Sequence, residues 1–200
     1  MPRRYSMDTR QRAAQAARDR ILEATLDELA ARGNEAITLQ SVADRADMAV
    51  RTLYNHFANR DELLTAAFLH HTSQTRQAVE ALRVPDADPD DQLRHVVDAY
   101  YRRYAQMGPR LAVLLSLRGV PELDREILAI RAWRRQLLAT IIERAHREGM
   151  LAVPVPAALA LAFTLTSHAG WQTLLDDAGG GPEEAHLVAV QVLESALFHR

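Results

Sequence analysis

Apolar residues recur at helical rather than strand spacing along nearly the whole 200-residue chain. Ile21, Leu22, Thr25, Leu26 and Leu29 form one such stripe, at i, i+1, i+4, i+5 and i+8. Alanine and leucine, both strong helix formers, are abundant, while β-branched residues are sparse. No run alternates with period two between turn signals, so the pattern predicts an all-α protein.

Breakers divide that pattern into about nine helices. Gly33-Asn34 closes a first long helix, and Thr38 is placed to N-cap a short one reaching about Ala46. A turn at Asp47-Met48 leads to a second short helix from about Val50 to Phe57. Asn59-Arg60-Asp61-Glu62 is a capping-box variant that opens a helix to about Leu82. Further helices are expected to about Met107, over Leu111–Leu117, over Glu122–Glu148 and from Pro154/Pro156 to about Asp177. Pro182, after Gly179-Gly180-Gly181, suits the first turn of the last one.

Composition narrows the chemistry. There is no cysteine, which excludes disulfides, thiolate metal sites and a cysteine nucleophile. The histidines form no HExxH pair or carboxylate-spaced set, and neither a phosphate-binding glycine loop nor a nucleophile elbow is present. The expectation is a protein that is not an enzyme and holds no metal and no cofactor. No signal peptide or membrane-spanning stretch is apparent, and a cytoplasmic location is expected.

All 24 basic residues are arginine, against 26 acidic ones, for a net charge of -2. That average argues against nucleic acid until the charges are located. Residues 1–60 carry ten arginines against eight acids, whereas residues 61–200 carry fourteen against eighteen. The first twenty residues are net +4. Arg3 and Arg4 are candidates for a basic arm ahead of the first helix that enters a minor groove, or for a solvated tail.

The segment ITLQSVADRADMAVRTLYNHFANRDELL, residues 37–64, reads as a helix-turn-helix. Ala43 is small where two helices cross, and Val42, Leu53 and Phe57 supply inward contacts. Thr38, Val42-Ala43, Ala46, Thr52-Leu53-Tyr54, His56-Phe57 and Asn59-Arg60-Asp61-Glu62-Leu63, with their spacing, resemble the tetracycline-repressor (TetR) family of transcriptional regulators. The resemblance covers about residues 18–64 at motif level, and only the architecture beyond. It departs at the turn, where Asp47-Met48-Ala49 stands in place of the usual Gly-Val-Ser. Asp tolerates the left-handed conformation such a turn needs, while Ala49 lacks the usual hydroxyl.

The resemblance implies phosphate contacts from Thr38, Thr52, Tyr54, His56 and Arg60, and candidate base contacts from Gln40, Val50, Arg51 and Asn55. Arg51 is the foremost of these, since Arg pairs with guanine O6 and N7. It further implies a DNA-binding domain over residues 1–60 and an effector-binding and dimerisation domain over residues 61–200. The expected partners are a double-stranded palindromic operator, a small-molecule effector and a second copy of the chain.

In the body, Tyr100, Tyr101, Tyr104, Met107, Trp133, Phe163, Ser167, His168 and Trp171 are candidates to line an apolar pocket with a few polar groups, or simply to form core. Such a lining favours an apolar or aromatic effector. Arg118 is a candidate partner for an acidic one. Val155–Leu175 is apolar nearly all round, and Leu187, Val190, Leu193 and Leu197 recur at 3–4 spacing, so the last two helices are the expected dimer face. The alternative is a helical small-molecule-binding protein or enzyme that has lost DNA binding.

Overall fold

The computed structural model describes residues 3–33, 36–81, 87–117 and 120–199, less the side chains of 3–8, 74, 75, 78, 79, 81, 109, 114 and 178. Arg118 and the side chains of Arg3 and Arg4 therefore lie outside the described residues. Ten helices are found among the described residues: α1 (Arg3–Arg32), α2 (Leu39–Ala46), α3 (Val50–Tyr54), α4 (Arg60–Ala81), α5 (Pro89–Met107), α6 (Pro109–Ser116), α7 (Pro121–Arg147), α8 (Val155–Leu165), α9 (His168–Ala178) and α10 (Pro182–Leu197). Among the described residues the chain is all-α, with one isolated bridge, between Leu151 and Phe198.

Two compact units divide the described chain. The first runs to His71 and adds Pro109–Glu126; the second comprises Thr72–Gly108 and Ile127 onward. In the first, Ile21, Leu22, Leu26 and Leu29 of α1 are buried, as the apolar stripe requires. α6 packs on α1, with Arg110 paired to Glu23 and Asp27. His70 of α4 sits 3.3 Å from Glu23. In the second, α10 packs on α5, α8 and α9. Leu93, Val97, Leu138, Ile142, Ala162, Ala189 and Leu193 are buried there.

Three expectations are corrected. The segment ahead of Arg20 is not an arm preceding the first helix, because α1 already begins at Arg3. The second short helix stops at Tyr54 rather than Phe57. Asn55 and His56 form a turn closed by the His56 and Phe57 amides, both donating to the Leu53 carbonyl. The helix expected from Pro154 to Asp177 is two helices, which raises nine to ten.

That last break has a local cause. The hydroxyls of Thr164, Thr166 and Ser167 donate to the carbonyls of Ala160, Ala162 and Thr164, which weakens a helix against continuing. Ser167 then accepts from the Gly170 amide as N-cap of α9. A side chain at position 170 would run into the Thr164 carbonyl, so this close return of the chain needs glycine.

Candidate functional site

The turn between α2 and α3 is built by residues that satisfy its backbone. Thr38 Oγ1 accepts from the Ser41 amide at 3.0 Å while Ser41 Oγ accepts from the Thr38 amide at 3.1 Å, a reciprocal cap on α2. Asp47 ends α2 at φ 53°, the left-handed conformation expected of it. The Met48 amide returns to the Ala43 carbonyl at 3.0 Å. Ala49 starts α3 with no side-chain cap, as its missing hydroxyl implies. Asn59 accepts from the Glu62 amide and Glu62 from the Ala58 amide, which fixes the start of α4.

Beneath this backbone Val42, Ala43, Leu53 and Phe57 are buried. Above it Thr38, Gln40, Arg51, Tyr54 and Asn55 are exposed, and Val50, Thr52, His56 and Arg60 are half-buried. Tyr54 is 58% exposed beside a fully buried Leu53, so its ring contributes little packing. Arg51 makes no ion pair or side-chain hydrogen bond among the described residues. The remaining candidates are partly engaged. Gln40 donates to Asp44, and the Arg60 guanidinium donates to the Ile37 carbonyl at 3.3 Å and lies 3.4 Å from Asp61. Two arginines near the N-terminus are also structural: Arg18 lies 4.6 Å over the Phe57 ring, and Arg20 donates to the Ala46 carbonyl.

Glu28 is a residue that sequence reasoning missed. It is buried at 2% exposure and accepts from Arg45 Nε at 2.6 Å, tying α1 to α2, with Arg32 Nε 3.0 Å away. The signal was present, since Glu28 lies seven residues after Ile21 on the same helix face. Burial alone would raise its carboxyl. Hydrogen bonds from Arg45 and Ser41, with the charges of Arg32 and Arg45, outweigh that and hold it below the ordinary value of 4.5.

A depressed folded value means that this pair stabilises the first unit fully above the ordinary value, and is lost as pH falls through the lower one. Urea unfolding should therefore show a midpoint that drops on acidification below 4.5. In Glu28→Gln that drop should be shallower. Parallel profiles for the two proteins would refute the assignment.

Within the second unit the aromatic candidates divide. Tyr100, Tyr101, Tyr104 and Trp171 are buried, and His168 is half-buried. The Tyr104 ring lies 5.8 Å from Tyr100, 5.5 Å from His168 and 5.7 Å from Trp171, so α5 and α9 form one cluster. Tyr101 Oη donates to the Leu165 carbonyl and Tyr104 Oη to that of Thr166, the carbonyls freed at the α8–α9 break.

Arg134 of α7, unforeseen in the sequence, donates Nη1 to the same Thr166 carbonyl at 3.1 Å. It stacks 4.4 Å over Phe163. Ser167 is occupied by its capping bonds, Met107 is buried, and Trp133 lies instead under Arg76 at 4.9 Å. Burial pushes the Tyr100 hydroxyl up to about 12 against the opposing Arg134 charge, raises Tyr101 and Tyr104 further, and lowers the His168 imidazole.

Residues 21–67, which span the α1 stripe, the capped turn and the start of α4, match the family described as "Bacterial regulatory proteins, tetR family". This segment of the chain is similar to the tetR family. Similar proteins include the HTH-type transcriptional repressor KstR of Mycobacterium tuberculosis (strain ATCC 25618 / H37Rv). That protein is 36% identical over 99 residues, 50% of this chain and 44% of the relative. The HTH-type transcriptional regulator BetI of Paraburkholderia phytofirmans (strain DSM 17436 / LMG 22146 / PsJN) is 32% identical over 100 residues, 50% of this chain and 51% of the relative. The chain thus matches about half the length of these curated relatives.

Among solved structures, the TetR family transcriptional regulator PfmR from Thermus thermophilus superposes with a TM-score of 0.71 at 26% identity, over 92% of this chain and 98% of that one. The regulator FadR from Bacillus subtilis, solved in complex with stearoyl-CoA, gives 0.71 at 20% identity, over 88% and 97%, a likeness of fold. Among the described residues no helix is long and apolar enough to cross a membrane, and no group of His, Asp and Glu could hold a metal ion.

Proposed function

We propose that this chain is a ligand-responsive transcriptional repressor of the tetR family, not an enzyme, that binds a palindromic operator as a homodimer and is released by a small molecule. In this reading residues 1–60 contact DNA, and residues 61–200 bind the effector and the second copy. The protein acts in the cytoplasm. The observation that carries the reading is the surface of α3 and its flanks, where Arg51, Tyr54 and Asn55 are exposed over a buried Leu53 and Phe57.

Exposed donors on a helix secured from below suit phosphate oxygens and base edges in a major groove. The base-contact set is Gln40, Val50, Arg51 and Asn55; the phosphate set is Thr38, Thr52, Tyr54, His56 and Arg60. Thr38 keeps its hydroxyl hydrogen for a phosphate, because its oxygen is the acceptor in the α2 cap. Arg60 divides its donors between the Ile37 carbonyl and the DNA.

A single head reads one half-site, and two half-sites about 34–36 Å apart require two copies. The faces proposed to meet belong to α8 and α10. Ala157, Ala160 and Thr164 of α8 and Leu187 and Val192 of α10 are exposed, with Leu187 at 60%. Leu193 and Leu197, from the stripe expected to meet a partner, are instead buried within the subunit, and Val190 is half-buried. Effector release follows if the ligand binds more tightly to a conformation in which the heads do not fit successive grooves.

Gel-shift titration of the upstream region of the chain's own gene against random DNA, at several salt concentrations, tests the reading. The expected result is a sequence preference, two copies per operator and an affinity that falls steeply with salt as phosphate counterions are released. Equal affinity for random DNA, or no DNA binding, would overturn it in favour of a small-molecule-binding protein.

A further inference from the structure

The second unit buries a cation without a counter-ion. Arg134 is 8% exposed, and no carboxylate lies within 4.0 Å of it among the described residues. Its Nη1 is used by the Thr166 carbonyl, but Nε has no hydrogen-bond partner. Around it are three more buried polar atoms without partners: Tyr100 Oη, Trp171 Nε1 and His168 Nε2. All four belong to the Tyr104-centred cluster, since Arg134 Cζ lies 5.7 Å from the Tyr100 ring and His168 and Trp171 flank Tyr104. A buried charge and buried donors left unpaired are costly in a folded interior. Such a set calls for an explanation, and a further partner that completes it is one.

We infer that Arg134 Nε and Tyr100 Oη receive the carboxylate, or an equivalent singly charged oxyanion, of the effector, with its apolar portion against Phe163, Tyr104 and Trp171. The groups present fit that chemistry. Arg134 is a permanent cation, and a guanidinium with a free Nε–H meets a carboxylate with charge-assisted bonds. The Tyr100 hydroxyl, raised to about 12 by burial, stays a protonated donor at neutral pH. The indole N–H of Trp171 can only donate. The cluster therefore offers one positive charge and an excess of donors to a ligand that brings acceptors. Ligand entry opens the packing locally, since the unpartnered atoms are shielded from solvent in this structure.

The proposal rests on the effector-binding reading and narrows it from an apolar or aromatic compound to an organic acid. It is tested on the full chain without DNA. Binding is measured by calorimetry and thermal shift for a paired panel of straight-chain and phenyl-substituted carboxylates and their matching primary alcohols. At least one carboxylate should bind about tenfold or more tightly than its alcohol, the scale of a hydrogen bond to a charged group. Arg134→Met should erase that preference.

Tyr100→Phe removes a hydroxyl that has no hydrogen-bond partner among the described residues, so it should fold normally and weaken the acid more than the alcohol. Equal binding of acids and alcohols, a preference that survives Arg134→Met, Tyr100→Phe without effect, or no carboxylate binding would each overturn the proposal. Operator release is read separately. An acid that binds in this way without releasing DNA leaves the anion site standing and refutes the effector role.

Discussion

Phe57→Ala is expected to cost about 3–5 kcal/mol and to abolish operator binding, the largest single effect in the first unit. Phe57 is 1% exposed and lies at the close of the turn that follows α3. Three features meet at this residue. Arg18 of α1 sits 4.6 Å over its ring face, His56 is tilted against it at 6.2 Å, and its amide completes the α3 turn by donating to the Leu53 carbonyl.

Truncation at that position removes the apolar transfer energy, leaves a cavity and deprives the Arg18 guanidinium of its ring. The arrangement of α3 on α1 depends on those contacts, so the exposed Arg51, Tyr54 and Asn55 would lose their common surface although none of them is changed. Hydrogen exchange over α1–α3 reads this directly. Protection there should fall while α8–α10 stays protected. Undiminished protection of α3 in the variant would refute the central packing role assigned to Phe57.

Arg51→Ala should weaken operator binding by about 1–3 kcal/mol for each half-site without unfolding the protein. Its side chain is exposed on α3 and carries no structural bond among the described residues, so its removal leaves no cavity and no orphaned partner in the free protein. In this it differs from Arg18, Arg20, Arg45 and Arg60, each of which holds another element in place. The form of the loss identifies the contact. If Arg51 pairs with a base, specificity relaxes at one position of each half-site and random DNA is bound as before. A uniform loss over all sequences, with a salt slope reduced by about one, would make it a phosphate contact instead. Unchanged affinity would remove it from the interface.

Legibility in the sequence followed the range of the interaction. The α2 cap at Thr38, the left-handed Asp47, the missing cap at Ala49 and the Asn59–Glu62 start of α4 all depend on residues within five positions of one another, and each was readable from residue type. The apolar stripe of α1 was readable because helical period is itself a local property. The α8–α9 break was missed although its causes are local. Three hydroxyl residues and a glycine in an apolar run do not end a helix by propensity alone. Here the tyrosines of α5 and Arg134 of α7 take up the carbonyls that the break releases.

By itself, then, the sequence determined the helical class and the capped helix-turn-helix, and it named the side chains proposed to face DNA, because these follow from spacing and from the chemistry of neighbouring residues. Tertiary structure decided which charges are structural and which are available. Glu28 could be known as the buried partner of Arg45 only once α1 and α2 were packed, since seventeen residues separate the two. Arg134 became a buried cation without a counter-ion among the described residues only when α5, α7 and the α8–α9 junction met around it. Burial is a property of the assembled fold. It makes Arg134, which nothing in the sequence singles out, the centre of the proposed anion site.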